Sequence, residues 1–373
     1  MKFETKKLIE ICDIECGTRV VRKVNGGSIY PVYGGGGATF KMDTYNREDC
    51  LVVARFAMSE TCTRIVKGKF FLNDSGLTLK AKENIIAQEY LETVILGKND
   101  EIYSLGRGAA QKNLDMAKFR ELEVSYPTSL EEQKRIVKIL DEKFAMLETV
   151  KANAKANLQN AKDLFQSQLT KVFSNTTWEK KVLLKDIAKD FSRGKSKHRP
   201  RNDKCLFGGN YPFIQTGDIR NTEKYITEYV DTYNETGLAQ SKLWPEGTLC
   251  ITIAANIAET AILTFPCCFP DSVIGFVPNE DITTADYVFY LLQFFKAELQ
   301  VLGKGAAQDN INLGTFEKME FPLPPLPEQK HIVEQLDPLS EKTKALQNIY
   351  KKILLDCDEL KQSLLAKAFA GEL

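Results

Sequence analysis

Long apolar runs are absent from this 373-residue sequence, and none approaches the roughly 20 residues that a membrane-spanning helix needs. The N-terminal segment MKFETKKLIEI also lacks the short apolar core of a signal peptide. These absences predict a cytoplasmic protein. Histidine is nearly absent, and the closely spaced Cys12 and Cys16 have no second Cys or His pair at the spacing of a zinc finger. We therefore predict no metal site.

An excess of charge is absent too, since 50 Lys and Arg residues balance 50 Asp and Glu residues. Such neutrality by itself argues against binding to nucleic acid. However, ten basic residues lie between Lys180 and Lys204, and a locally basic face on a neutral chain still binds phosphate. The nine cysteines, an odd number that includes the adjacent Cys267 and Cys268, are expected to be free thiols in a reducing compartment.

Recognisable catalytic motifs are missing as well. The sequence Pro324-Pro325 is flanked by leucines, whereas a DNA-amino methyltransferase needs an Asn/Asp-Pro-Pro-aromatic loop. Gly194-Lys195-Ser196 ends like a phosphate-binding loop but lacks the glycine that such a loop carries five residues earlier. Pro270-Asp271 is not followed by the acid-x-Lys of a nuclease, and Glu132-Gln133-Lys134, which has that pattern, is assigned to the solvated face of a helix. We expect no catalytic residues.

The sequence is internally duplicated. Residues 106–114 (GRGAAQKNL) recur as residues 303–311 (GKGAAQDNI), an offset of 197 positions. With one gap, residues 132–137 (EQKRIV) match residues 328–333 (EQKHIV), and residues 167–173 (SQLTKVF) match residues 363–369 (SLLAKAF). The repeat predicts four segments in the order A-B-A′-B′. Their predicted bounds are residues 1–127, 128–175, 176–327 and 328–373.

Segments B and B′ have the apolar spacing of long helices. B begins with a capping-box pattern, in which Ser129 precedes Glu132 by three residues. The predicted stripe of B contains Ile136, Leu140, Lys143, Leu147, Val150, Ala154, Leu158, Ala161, Phe165 and Val172. The predicted stripe of B′ contains Ile332, Leu336, Leu339, Leu346, Tyr350, Ile353, Cys357, Leu360 and Leu364.

Over about six heptads, this spacing is typical of a coiled coil. We expect the two helices, each on the order of 60 Å long, to pack antiparallel about a pseudo-twofold axis; a plain helical bundle is the alternative. Pro338 predicts a short helix and a kink before the long helix of B′.

Segments A and A′ are predicted to be α+β globules. Short β-rich runs occur at residues 50–54, 69–72, 248–253 and 272–277, separated by clusters of Gly, Asn, Asp and Pro. One helical stretch lies late in each segment, at residues 87–96 and 285–302. Outside the repeated motifs the two segments align poorly, whereas the helices are alike. This contrast suggests two different recognition units on one common framework.

Four stretches of sequence resemble motifs of the type I restriction specificity subunits. Residues 322–337 (PLPPLPEQKHIVEQLD) resemble the signature that opens the repeat helix of this family, and residues 364–373 (LLAKAFAGEL) are similar to its closing motif. Residues 211–219 (YPFIQTGDI) and 30–34 (YPVYG) resemble the start of a target-recognition domain. The resemblance covers essentially the whole chain.

The resemblance implies a division of labour. Two target-recognition domains each read one half of a bipartite double-stranded DNA site, and the repeat helices set the spacing and dock two methyltransferase subunits. Restriction and translocase subunits complete the enzyme. The specificity subunit itself performs no chemistry and holds no cofactor, because S-adenosylmethionine, ATP and Mg²⁺ belong to its partners.

Candidate DNA contacts are basic residues in Gly- and Pro-containing loops. In A′ they are Arg193, Lys195, Lys197, Arg199, Arg201, Lys204 and Lys304. In A they are Arg19, Arg22, Lys23, Arg64 and Arg107. A solvated surface loop is the alternative for both groups. The Gly-x-Gly-Ala-Ala-Gln motif beside Arg107 and Lys304 is interpreted either as a phosphate-binding backbone or as a tight turn, and residues 34–37 (GGGG) leave the same choice.

Two other function classes remain open from the sequence. One is a stand-alone DNA-modifying enzyme, a nuclease or methyltransferase, whose site has no recognisable motif. The other is an interaction protein whose coiled coil only tethers its partners.

Overall fold

The computed structural model describes residues 2–109, 111–174, 178–198, 200–254, 257–304, 313–316 and 318–373. The chain divides into two units. Unit 1 comprises Met1–Ala156 and Lys351–Leu373, and unit 2 comprises Asn157–Tyr350. Along the described ranges, no helix combines the length and the apolar character that crossing a membrane requires.

Unit 1 contains a mixed globule that precedes the first long helix. Its strands are β1 (Phe3–Lys7), β2 (Cys12–Cys16), β3 (Tyr30–Tyr33), β4 (Ala38–Met42), β5 (Arg47–Ala54), β6 (Thr63–Leu72), β7 (Gly76–Ala81), β8 (Gly106–Arg107), β9 (Asn113–Leu114) and β10 (Glu123–Pro127). Its helices are α1 (Leu8–Ile11), α2 (Arg22–Asn25), α3 (Gln88–Gly97), α4 (Asn99–Ser104) and α5 (Met116–Arg120), and α6 (Leu130–Phe173) follows. The main sheet has the order β2-β7-β5-β6-β3-β4, and the pairs β1-β10 and β8-β9 stand apart from it.

Unit 2 contains a second globule of different sheet architecture. Its strands are β11 (Lys181–Val182), β12 (Ala188–Arg193), β13 (Phe207–Phe213), β14 (Tyr225–Ile226), β15 (Asp231–Tyr233), β16 (Leu243–Trp244), β17 (Leu249–Thr252), β18 (Thr260–Leu263), β19 (Cys267–Cys268), β20 (Val273–Pro278) and β21 (Phe321–Pro322). Its helices are α7 (Thr216–Asn221), α8 (Glu235–Ala239), α9 (Ala285–Lys304), α10 (Leu313–Phe316) and the long α11 (Leu326–Ala370). One sheet has the order β12-β20-β17-β18-β14, a second has the order β15-β13-β19-β16, and β11 pairs with β21.

The predicted β-rich runs form central strands in both units. In β5, Leu51 and Val53 belong to the main core of unit 1, while Val52 packs on the opposite face with Phe70 and Leu72. This alternation follows from the period of two along a strand and explains why the run is apolar throughout. The helical stretches predicted at residues 87–96 and 285–302 are α3 and α9. The prediction of α+β globules is confirmed.

The two copies of the Glu-Gln-Lys motif join each long helix to the globule that precedes it. Gln133 is fully buried and donates to the carbonyls of Pro127 (2.8 Å) and Ile85 (3.2 Å), while its Oε1 accepts from the backbone N–H of Ala87 (2.7 Å). We assigned this motif to the solvated face of the helix, and for Gln133 that assignment is wrong. A side-chain amide provides two donors and an acceptor, which here satisfy three backbone groups of two neighbouring segments.

Gln329 repeats this arrangement in unit 2. It is also fully buried and donates to the carbonyls of Pro324 and Ile282, both at 2.9 Å. Its Oε1 accepts from the hydroxyl of Thr283 at 2.8 Å. The duplicated motif therefore has a structural meaning: it fixes the direction in which each long helix leaves its globule.

The far end of each long helix packs in the other unit. Phe173, near the end of α6, lies 5.9 Å from the ring of Tyr287 on α9. Its repeat equivalent Phe369, near the end of α11, lies 6.1 Å from the ring of Tyr90 on α3. Tyr90 and Tyr287 are both fully buried and donate to carbonyls at positions 125 and 322. Each globule therefore packs against the start of one long helix and the end of the other.

Within unit 1, the two long helices are antiparallel, as predicted. Their contacts pair rising residue numbers on α6 with falling numbers on α11: Arg135 with Leu373, Phe144 with Lys361, and Lys151 with Asp358. In unit 2, the ends are held by Trp178, whose Nε1 donates to Glu328 on α11 at 2.9 Å. Ser129 caps α6 through a bond from Glu132 N–H (3.4 Å), but the Glu132 carboxylate binds Arg135 and does not complete the predicted capping box.

The buried seam of the helices differs from the predicted stripes at several positions. On α6, the buried residues recur every seven positions at Leu140, Leu147, Ala154 and Ala161. Predicted seam residues that face solvent are Lys143, Val150, Leu346 and Leu360. The sequence spacing cannot distinguish the buried seam from a second, exposed row of apolar residues, because residues in both rows are three or four positions apart.

The separate short helix that we expected before Pro338 is wrong, and the kink stays a prediction. Helix α11 runs from Leu326 to Ala370 with Pro338 inside it. Proline removes one intrahelical hydrogen bond, but the adjacent Asp337 is held by unit 2. Its carboxylate accepts from Lys224 Nζ and from the hydroxyl of Tyr290, both at 2.5 Å. We infer that these contacts offset the proline and keep the helix continuous.

Candidate nucleic-acid interface

The basic loop of unit 2 is attached at both ends to one turn. Arg193, the last residue of β12, donates from Nε to the carbonyl of Asp271 at 2.7 Å. Arg201 places Nη2 2.6 Å from the Asp271 carboxylate. Gly194 lies between these anchors, where a Cβ would come within 2.4 Å of the carbonyl oxygens of Phe269 and Pro270. The glycine is therefore required for the close approach of the two backbones.

The loop backbone is held by side chains near the end of α8. Oε1 of Gln240 accepts from the backbone N–H groups of Lys197 (2.7 Å) and His198 (3.1 Å), and the hydroxyl of Ser241 donates to the carbonyl of Lys195 (3.1 Å). The side chains of Lys195 and Lys197 remain exposed. A fixed backbone with exposed cations is suited to contact a phosphate backbone. Lys204 is exposed as well, and Arg199 lies outside the described residues.

A cavity of about 320 Å³ lies beside the anchored end of this loop. Arg201, Asn202 and Gln215 supply polar groups to it, and Phe207 and Phe213 supply aromatic surface. A cavity lined by aromatic side chains and a few polar groups is typical of a ligand-binding site. Phe213 and Gln215 belong to the motif at residues 211–219 that resembles the start of a target-recognition domain, but the sequence did not indicate that they share a cavity with Arg201.

A second arrangement in the same loop was also missed. Nε2 of His198 lies 3.0 Å from Oδ2 of Asp203 and 4.0 Å from Sγ of Cys205. The backbone N–H of Cys205, and then His198, lower the pKa of Asp203 to about 2. The three residues have a spacing, His-x4-Asp-x-Cys, that matches no finger pattern. The bend at Lys204–Leu206, a short 3₁₀ helix, brings them together.

The predicted contacts of unit 1 fall into two groups. Arg19, Arg22 and Lys23 are exposed in the segment around α2. Val24 in the same helix is 81% exposed, so this segment presents apolar as well as basic surface. All three residues are accessible on the surface, and their contact with DNA stays a prediction.

Arg64 and Arg107 make contacts within unit 1 itself. The guanidinium of Arg64 donates to the carbonyls of Gly35 (2.8 Å), Gly36 and Thr61 (2.9 Å), and so holds the glycine-rich loop in place. Arg107 pairs with the buried carboxylate of Asp115. Both guanidinium groups therefore have structural partners, and their role in DNA contact stays a prediction.

The Gly-x-Gly-Ala-Ala-Gln motif forms a hairpin in unit 1. Strands β8 and β9 pair through Gly106 with Leu114 and Arg107 with Asn113. Gly108 has φ +114°, a conformation that favours glycine. This geometry supports the tight-turn interpretation. In unit 2, α9 ends at Lys304, and the rest of the second copy, residues 305–312, lies outside the described residues.

Comparison with known proteins gives two kinds of match. The family model of the type I restriction modification DNA specificity domain matches the chain twice, over residues 1–160 and 175–355. A relative from Methanocaldococcus jannaschii, the type I restriction enzyme MjaVIII specificity subunit, is 27% identical over 300 residues. That alignment covers 72% of this chain and 68% of the relative.

Solved structures share the fold. A chain from a structural study of complex assembly and conformational transition of the type I R-M system gives a TM-score of 0.79 at 18% identity, covering 100% of this chain and 98% of that one. The HsdS subunit from Thermoanaerobacter tengcongensis gives a TM-score of 0.56 at 18% identity, covering 100% and 97%. With both halves of the repeat matched by the family model, the chain belongs to the type I restriction-modification DNA specificity family.

Proposed function

We propose that this chain is a non-catalytic specificity subunit that reads a bipartite double-stranded DNA target, one half-site with each globule. The observation that carries the proposal is the contrast between a duplicated framework and two unlike globules. Gln133 and Gln329 attach the helices in the same way, whereas the sheets and the basic segments differ. A common mode of attachment with different surfaces is what a reader of two different half-sites requires.

The exposed cations supply the electrostatic part of such binding. Lys195 and Lys197 project from an anchored backbone in unit 2, and Arg22 and Lys23 project from α2 in unit 1. Phosphate contacts of this kind position a protein on DNA, while a few side chains reach base edges. We place the complex in the cytoplasm, where chromosomal DNA is its substrate.

The long helices carry the proposed docking sites for two methyltransferase subunits. Exposed apolar residues occur at equivalent repeat positions: Val150 (44%) matches Leu346 (40%), and Leu164 (53%) matches Leu360 (49%). Val150 and Leu360 belong to unit 1, and Leu164 and Leu346 belong to unit 2. Each unit therefore presents one member of each pair, which favours two equivalent partners. Restriction subunits join through the methyltransferase subunits. S-adenosylmethionine, ATP and Mg²⁺ are bound by these partner subunits and not by this chain.

The target is tested by mapping methylated bases in a host that expresses the chain together with its methyltransferase subunits. We expect a split recognition sequence that disappears when the chain is omitted. The pure chain, incubated with DNA, Mg²⁺ and S-adenosylmethionine, should yield neither cleaved nor methylated DNA. Cleaved or methylated DNA from the pure chain would instead identify a stand-alone modifying enzyme. DNA binding that is absent or insensitive to salt would identify an interaction protein that only tethers its partners.

Docking is tested by native mass spectrometry of the complex. Val150→Asp should remove one methyltransferase subunit, Leu346→Asp the other, and the double variant both, because a charge replaces apolar contact surface. Lys143→Asp, at an exposed polar position of α6, is the matched control. Full occupancy in the double variant would place the docking surface elsewhere.

A further inference from the structure

His198, Asp203 and Cys205 bring three metal-ligating atoms to one point on the surface of unit 2. The imidazole nitrogen, carboxylate oxygen and sulfur all lie within 4.8 Å of one another. Bonds of about 2.0–2.3 Å to a tetrahedral zinc ion would separate ligand atoms by roughly 3.3–3.8 Å. The separations of 3.0 and 4.0 Å from His198 Nε2 bracket that range.

The geometry does not suit a catalytic relay. In a nucleophile–histidine–acid arrangement, the acid and the nucleophile contact opposite nitrogens of the imidazole. Here Asp203 and Cys205 both approach Nε2 of His198. Two partners on the same nitrogen cannot pass a proton through the ring, but they do converge on a position that a cation can occupy.

Surrounding groups fix the ligand-bearing backbone. The backbone N–H of Cys205 donates to Oδ1 of Asp203 at 3.1 Å, which leaves Oδ2 directed toward the histidine. Nδ2 of Asn234 donates to the carbonyl of Cys205 at 3.0 Å. Oε1 of Gln240 accepts from the backbone N–H of His198 at 3.1 Å. Metal sites are commonly oriented by such outer hydrogen bonds.

We propose that His198, Asp203 and Cys205 bind a divalent transition-metal cation of the zinc class, with the fourth coordination position open. Imidazole, carboxylate and thiolate are the ligands that zinc takes in proteins. Binding adds the two positive charges of the cation and releases the thiol proton of Cys205, so the three ligands and the metal are neutral together and the basic loop gains one positive charge. The bound metal ties residue 198 to residues 203–205 and closes the loop that carries Arg201. Metal binding at this site does not rest on DNA binding.

The test uses the reduced full-length chain, freed of metal with a chelator and titrated with Co²⁺. We expect one Co²⁺ per chain, with a thiolate-to-cobalt charge-transfer band and the intense visible bands of tetrahedral coordination, both lost on addition of Zn²⁺. Cys205→Ser should abolish the charge-transfer band, and His198→Ala and Asp203→Asn should each weaken binding by at least about 10-fold.

Cys16→Ser, at an exposed cysteine of unit 1, is the matched control and should leave the titration unchanged. Far-UV circular dichroism checks that the variants stay folded, as expected for changes in a surface loop. A titration without a thiolate band, or a band that persists in Cys205→Ser, would overturn the proposal.

Discussion

The two units attach their long helices alike but differ in how tightly the helix ends are packed. In unit 2, the ring of Phe173 lies 5.6 Å from Phe294, 5.9 Å from Tyr287 and 6.2 Å from Trp178. In unit 1, Phe369 has Tyr90 as its aromatic neighbour, and the repeat equivalent of Phe294 is Gly97. The attachment by buried hydrogen bonds is kept in both units, whereas the apolar packing around it has diverged.

This difference distinguishes two kinds of buried residue: those whose hydrogen bonds fix the direction of a helix, and those that contribute only apolar packing. A buried amide that satisfies three backbone groups specifies one helix direction and cannot be replaced piecemeal. An aromatic cluster tolerates exchange as long as volume is kept. Sequence change between the repeats has accordingly spared Gln133 and Gln329 and altered the residues around Phe173 and Phe369.

Substitution of Gln133 and Gln329 tests the hydrogen-bonded attachment that both units share. We expect the largest loss of stability there. Gln133→Ala leaves the Ala87 N–H and the carbonyls of Ile85 and Pro127 buried without partners, and should lower the free energy of unfolding of the chain by about 3 kcal/mol. Gln329→Ala should cost about 1 kcal/mol less, because the hydroxyl of Thr283 can rotate toward another acceptor. Calorimetry should show Tm lowered by about 6–12 °C for Gln133→Ala.

The control for this comparison is Gln159→Ala, at an exposed position of α6. We expect its Tm to stay within about 2 °C of the parent, since surface changes alter stability by about 0.5 kcal/mol or less. An equally small effect of Gln133→Ala would show that water replaces the amide and that the motif does not direct the helix.

Truncation of Phe173 and Phe369, near the ends of the two long helices, tests the apolar packing that differs between the units. Phe173→Ala removes a ring that is 5% exposed and has three aromatic neighbours, and should cost about 3 kcal/mol. Phe369→Ala should cost about half as much, because the ring is partly exposed and has a single aromatic neighbour among the described residues. The measurement is thermal unfolding of both variants in parallel. Equal losses would mean that aromatic contact does not determine the packing energy here.

Long, periodic elements could be predicted from the sequence, and tertiary contacts could not. The seven-residue repeat identified both long helices, and β5 and α9 followed from their apolar runs. Val150 and Leu346 were misplaced because an apolar residue on a helix does not reveal which partner covers it. Gln133 was misplaced because its hydrogen-bond partners come from segments up to 48 residues away.

The candidate site shows the same limit. The basic run between Arg193 and Lys204 was visible as a loop, since glycine, proline and charge are local signals. Its anchoring by Asp271 and Gln240 was not, because those residues lie 78 and 43 positions from their partners. The convergence of His198 with Cys205 depends on a bend that no spacing rule describes.

We expect the next largest loss of stability from substitution of Lys224, a buried lysine in unit 2. Lys224 is 9% exposed and pairs with Asp286 (2.8 Å) and Asp337 (2.5 Å). In unit 1, the repeat equivalent of Asp337 is Asp141, which is exposed. Lys224→Met should lower the free energy of unfolding by about 1–3 kcal/mol, because it leaves two half-buried carboxylates without their cation. Lys189→Met, at an exposed lysine, should change it by about 0.5 kcal/mol or less.

The loss of stability caused by Lys224→Met should depend on pH. Burial by itself raises the pKa of Asp286, but the hydrogen bonds from Lys224 and Tyr225 outweigh it and hold the pKa below 3.8. The stabilisation is therefore fully present above the unfolded pKa of about 3.9 and is lost as the pH falls through the lower, folded value. Denaturant titrations should give a difference between the parent and Lys224→Met that is constant near neutral pH and shrinks below about pH 4.

The smallest effect concerns the anchored basic loop and the short basic helix of unit 1. Arg201→Ala should weaken binding to DNA that carries only the half-site of unit 2 by about 10-fold, and leave the half-site of unit 1 unaffected. Arg22→Ala should do the reverse with a smaller loss, because its segment is not anchored as Arg201 is by Asp271. Fluorescence anisotropy on the two half-sites at several salt concentrations measures both. If each variant weakened both half-sites equally, the globules would share one nonspecific surface, and the division into two readers would fail.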